Sequence, residues 1–205
     1  MMQRIFRLLA FAATAILLTG CWLPDDFTID LNIRADGRYA FRYEGAMTAI
    51  PLLRTISDEQ PSPAKEQELA EVYRQDLLRD SAFEEVRYLG LARFQVKYQR
   101  KGDIVENPTF YFVRTNSKIL AVTQANGVVS IFGDRPPQAY RKELIAKGFD
   151  VKGTVRVWTD APVIASNAQR SVDGTPKRYE WTIETMEQPV PDMKIRINRT
   201  DTPLP

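Results

Sequence analysis

Between residues 27 and 43 the chain alternates. Phe27, Ile29, Leu31 and Ile33 are interleaved with Thr28, Asp30, Asn32 and Arg34, and Tyr39, Phe41 and Tyr43 with Ala40, Arg42 and Glu44. A period of two places every second side chain on one face of a strand, so both segments read as half-buried strands. Asp36-Gly37 between them is a two-residue turn pair, and the unit is a β-hairpin.

Further along, residues 45–62 lose the alternation and carry Pro51 and Pro61. Ser62 then caps a helix with Pro63 in its first turn, its apolar face expected at Leu69, Val72, Tyr73 and Leu77 and its wet face at Glu68, Glu71, Arg74 and Gln75. Val86, Tyr88, Ala92, Phe94, Val96 and Tyr98 suggest one long strand with Gly90 as a bulge. Strands follow at 110–114, 119–123 and 128–132, the last two joined across Asn126-Gly127. Pro136-Pro137 opens a second helix with Tyr140, Leu144 and Ile145 on one face and Gly148 at its end. Strands at 149–157, 179–184 and 193–198 complete the pattern. The expected fold class is α+β, with antiparallel β-sheets built from hairpins and two packed helices, in the order hairpin, helix, strands, helix, strands. Residues 27–199 are expected as a single domain, with two similar halves at 27–135 and 136–199 as the alternative, and 200–205 as a Pro-rich tail.

Ahead of the hairpin, Arg4 and Arg7 precede an apolar run from Leu8 to Leu18, and Leu18-Thr19-Gly20-Cys21 closes it. That layout is a signal peptide over residues 1–20. At about 1.5 Å per residue the run reaches only about half of a roughly 30 Å hydrocarbon core, which disfavours a spanning helix. The closing pattern resembles the lipobox of bacterial lipoproteins. The resemblance implies a diacylglyceryl thioether on Cys21, cleavage before it, acylation of the new amine, and a short lipidated tether over residues 21–26. An ordinary secreted protein with a cysteine at the cleavage point is the alternative. Trp22 follows the cysteine, whereas Asp there retains lipoproteins at the inner membrane of enteric bacteria. The expected location is therefore the cell envelope, and in a Gram-negative cell the outer membrane facing the periplasm.

Composition removes several classes of function. The chain has 28 basic and 26 acidic residues; loss of Arg4 and Arg7 with the signal brings the charges to balance, so bulk attraction to nucleic acid does not follow. Without histidine there is no Ser-His-Asp or Cys-His system and no His-containing zinc site. Cys21 is the only cysteine, so the fold has no disulfide, and no Gly-rich phosphate loop or dinucleotide fingerprint is present. Adjacent acids such as Asp25-Asp26 and Glu84-Glu85 point to opposite faces of a strand and cannot converge on one bond. No catalytic residue, metal site or cofactor is assigned. A hydrolase assembled from distant carboxylates is the outlying alternative.

The 8 tyrosines and 10 phenylalanines fall largely on the inward phase of strands. They read first as core; the sharper reading is that part of this lining faces a cavity for an acyl chain or other amphiphile. If Val155 and Val157 point inward, Trp158 points out, and with Pro162 and Val163 it is a candidate contact surface for a membrane or protein partner.

Lys147-Gly148-Phe149, the run from Val151 to Val157, Val163-Ile164-Ala165-Ser166-Asn167-Ala168 and Tyr179-Glu180-Trp181-Thr182-Ile183 together resemble the LppM domain of actinobacterial lipoproteins. That family has a lipid-anchored N-terminus, a helix followed by a strand, an Asn-small turn and a late Trp-bearing strand. The resemblance implies an α+β fold related to lipid-binding folds and a lipid or glycolipid ligand, and it transfers no catalytic residue. Ala168 stands where Gly is often found after the Asn, and residues 45–135 have no counterpart. The expectation is a non-enzymatic, membrane-anchored lipoprotein that binds an amphiphile, with a protein-binding scaffold module of an envelope complex as the alternative.

Overall fold

The computed structural model describes residues 22–115 and 117–198. Residues 1–20 and Cys21, with the signal peptide and lipidation expected there, lie outside the described residues, as do 199–205.

The first hairpin forms as its alternation requires. Strands β1 (Trp22–Ile33) and β2 (Arg38–Ala49) pair antiparallel with Ile29 opposite Tyr43, Leu31 opposite Phe41 and Ile33 opposite Tyr39. All six of these side chains are buried on one face, and Gly37 turns the chain at φ +93°. The hairpin sits inside a seven-stranded sheet ordered β10-β11-β8-β1-β2-β4-β3. Its further members are β3 (Phe83–Gly90), β4 (Arg93–Asp103), β8 (Gly153–Thr159), β10 (Arg170–Val172) and β11 (Lys177–Ile183). A five-stranded sheet, ordered β5-β6-β7-β12-β9, forms the second layer. It comprises β5 (Thr109–Arg114), β6 (Ser117–Ala125), β7 (Val128–Gly133), β9 (Val163–Ser166) and β12 (Asp192–Arg196).

The sheets face each other through rings. Phe112 of β5 lies 4.7 Å from Tyr43, 4.9 Å from Tyr98 and 5.2 Å from Phe41, centroid to centroid. Such tilted and edge contacts add about 0.5–1.5 kcal/mol per pair beyond the area they bury. The aromatic residues on the inward phase therefore fill most of the core. Among the described residues three helices, α1 (Ile50–Glu59), α2 (Pro63–Leu78) and α3 (Gln138–Ala146), complete the α+β architecture. Arg114 at the end of β5 bonds Asp76 of α2 at 2.9 Å, which sets that helix beside the second sheet.

Several local expectations are corrected. Residues 22–26 are the start of β1 and not a tether, with Trp22 and Leu23 buried. Asp26, at φ +47°, is the extra residue of a bulge between the Asp25 and Phe27 pairs. It reverses the phase, so a period-two reading stops at Phe27. Residues 50–59 form α1; its cap position is Ala49, which makes no side-chain bond, so the usual start signal is missing. Gly90 ends β3 and does not bulge a single strand. Leu91 and Ala92, at φ +51° and +60°, form a tight turn to β4. On α2, Leu77 is buried and Leu69 and Tyr73 pack against the core as expected, but Val72 is exposed and Ala70 joins the buried face. β8 pairs with β1 in parallel, which makes the larger sheet mixed. Both sheets take strands from each side of residue 135, so 27–135 and 136–199 are not separate halves.

Candidate functional site

Phe27 sits between two glycines, opposite Gly45 on β2 and Gly153 on β8. A Cβ at Gly153 would come within 2.4 Å of its Cδ1, and one at Gly45 within 2.5 Å of its Cα. The ring therefore lies over the floor left by Gly153 and stacks on Tyr43 at 5.8 Å, rather than standing up into the space between the sheets. Above it a cleft of about 400 Å³ opens between the two layers, lined mainly by apolar groups.

The cleft's floor is the inner face of the larger sheet at the start of β1: Leu23, Phe27, Ile29, Val155 and Ile183. Its opposite wall is Ile119 and Gly133 of the second sheet, and the loops at 134–137 and 185–191 close the side. Pro136, Pro137, Pro189 and Pro191 in those loops carry no N–H, which keeps donors out of the lining. The Ser117 Oγ, another lining group, accepts the Trp22 main-chain N–H at 2.8 Å and is thereby satisfied.

Long-range polar contacts hold the 185–191 wall in place. Buried Arg141 of α3 donates from Nε and Nη2 to Glu187 at 3.3 and 3.1 Å, and that bond holds the Glu187 carboxyl below its ordinary value. Asp150 accepts the Met186 N–H at 2.7 Å. Asn167 accepts from Trp181 Nε1 at 2.7 Å and from the Asp192 N–H at 2.8 Å, while donating to the Val190 carbonyl at 2.9 Å. Arg141 and Asp150 carry no local signal in the sequence, and Asn167 stood out there only as the Asn of a turn, because what the three residues hold is distant along the chain.

Two cations lie along the cleft, Lys118 and exposed Arg135, with Asp134 beside them. Lys118 lies over the Tyr111 ring at 5.6 Å, and Arg135 donates to the Gln188 carbonyl at 3.1 Å. Neither has a carboxylate partner within ion-pair distance among the described residues. The arrangement can hold an apolar chain inward and an anionic or polar group outward. Among the described residues no group of three or more acids, histidines or cysteines is placed to hold a metal ion.

Trp158, Pro162 and Val163, the expected contact surface, are spread over two strands and the link between them. Trp158 does point to the outer face of the larger sheet, where it is half-buried against Arg156, whose guanidinium lies 5.5 Å from its ring. There it lines a shallow depression of about 760 Å³ with Asp30, Asn32, Arg42 and Lys101. Val163 belongs to β9 in the other sheet and lines a different depression, beside Thr159 and Lys177. Pro162, exposed between the two, gives its carbonyl to the Arg196 N–H at 2.8 Å. Trp158 and Val163 thus belong to strands of different sheets, and the two depressions they line share Pro176.

No family model and no curated protein matches the chain. Among solved structures it is similar to the NMR structure of the Mycobacterium tuberculosis LppM folded domain, at 10% identity, covering 86% of this chain and 93% of that one, with a TM-score of 0.43. Among the described residues no helix is long and apolar enough to cross a membrane.

Proposed function

We propose that this chain is a lipid-anchored, non-enzymatic lipoprotein of the cell envelope whose domain takes the acyl chain of an amphiphile into the cleft between its sheets. The observation that carries this reading is the cleft itself, about 400 Å³ and mainly apolar, within the range of about 300–1,000 Å³ usual for small-ligand sites. The Phe27 ring, laid flat over Gly153, helps keep that space open. The lipobox at Leu18-Thr19-Gly20-Cys21 supplies the anchor. A protein-binding scaffold is the rival reading.

The test is a series of saturated fatty acids titrated into the chain from residue 22 onward, with bound species read by native mass spectrometry. Each methylene buried contributes about 0.8 kcal/mol, so two added carbons should tighten binding by roughly tenfold until the cleft is full. Affinity that is flat with chain length, or no bound species at any length, would count against an acyl site.

A further inference from the structure

We infer that the end of the domain carrying the cleft mouth and the β3–β4 turn docks on the phospholipid bilayer, so that an amphiphile passes between membrane and cleft without crossing water. The inference rests on the anchor reading above and adds an orientation to it.

Cys21 immediately precedes Trp22 in the chain. Trp22 is no tether residue. It is 7% exposed, its N–H is held by Ser117, and its ring packs against Phe94 at 5.5 Å and Tyr73 at 6.2 Å. Trp22 and Ser117 both line the cleft. A lipid on Cys21 is therefore tied to the cleft with no intervening slack, and the bilayer that holds it must meet this end of the domain.

At the same end lies an exposed apolar tip, on a turn whose N–H groups at Leu91 and Ala92 are held by Glu66 and the Tyr88 hydroxyl. Trp22 pairs with Ala49 at the end of β2, and the Ala49 N–H donates to the Ala92 carbonyl at 2.9 Å, which brings the β3–β4 turn alongside. Leu91 at its tip is 63% exposed and Leu89 41%. Tight turns with two residues at positive φ favour Asn-Gly or Asp-Gly. Here Leu91 and Ala92 hold that conformation, with the leucine turned to solvent. A bulky apolar side chain in a left-handed turn at a loop tip suits insertion among acyl chains, and the cations Lys118 and Arg135 along the cleft suit lipid phosphates.

The decisive experiment uses the lipidated full chain in phosphatidylcholine–phosphatidylglycerol vesicles whose acyl chains carry a quencher. Cys21 is consumed by the lipid, so a cysteine introduced by Leu91→Cys or by Asp36→Cys is the only thiol to label. Asp36 lies beyond the far end of β1, a 12-residue strand spanning roughly 35 Å. Several-fold quenching of the label at 91 with little at 36 is the expected result. Equal quenching at both sites, or none at 91, overturns the docking while leaving the anchor intact. A chain that carries no lipid by mass and does not float with vesicles overturns the anchor reading and the docking together.

Discussion

The main-chain N–H of Trp22 donates to the hydroxyl of Ser117 at 2.8 Å, across 95 residues of sequence. It fastens the first strand of one sheet to the first residue of β6 in the other, at the mouth of the cleft. Ser117→Ala removes the acceptor of this buried N–H. The expected loss is about 1–3 kcal/mol, measured by denaturant unfolding, with weaker fatty-acid binding as the sheets part.

Gly153→Ala tests how the cleft is kept open. The new Cβ would lie 2.4 Å from Phe27 Cδ1 and 2.5 Å from its carbonyl oxygen, and β1 and the ring must both give way. Overpacking of this kind costs about 1–3 kcal/mol. A ring displaced into the cleft should also cut acyl binding, read by titration at a temperature where the variant remains folded.

Filling the cleft from its edge separates binding from folding. Ile183 lines it at the end of β11 and is only partly buried. Ile183→Trp should abolish fatty-acid binding while the melting temperature moves by only a few degrees, a shift of about 1 kcal/mol or less. Unchanged affinity would place the ligand elsewhere.

Acid should loosen the 185–191 wall. The hydrogen bond from Arg141 lowers the Glu187 carboxyl below its ordinary 4.5. A depressed carboxylate contributes its full stabilisation above that unfolded value and loses it as pH falls through the lower folded one. Stability and acyl affinity should therefore drop together below about pH 4.5. Glu187→Gln should flatten that part of the profile and lower the melting temperature at neutral pH.

Cys21→Ser removes the acceptor of the expected anchor. Labelled palmitate should no longer incorporate, and the protein should leave the membrane fraction. Incorporation that persists in this variant contradicts the lipobox reading.

Local pattern determined much of this protein. Period-two alternation and the Asp36-Gly37 and Asn126-Gly127 turn signals are legible because neighbours in sequence decide them; the second forms as the two-residue turn read, while the first closes over three residues, Ala35 to Gly37, with Arg34 bonded to Arg38. Helix α2 starts at Ser62 for the same reason, its hydroxyl accepting the Lys65 N–H. Where the local signal is absent, reading stops: the turn at Leu91-Ala92 lacks its usual residues, and α1 lacks a capping side chain.

Tertiary structure alone decided the rest. The parallel pairing of β8 on β1 brings residues 27 and 153 together, and no local pattern encodes a contact made after so long an excursion. It sets Gly153 beneath Phe27, and with Ser117, Arg141 and Asn167 it shapes a cleft from segments remote in sequence. A sequence shows which side chains face inward. Whether the space they face is filled or hollow depends on how the two layers meet, and that is a property of the assembled sheets.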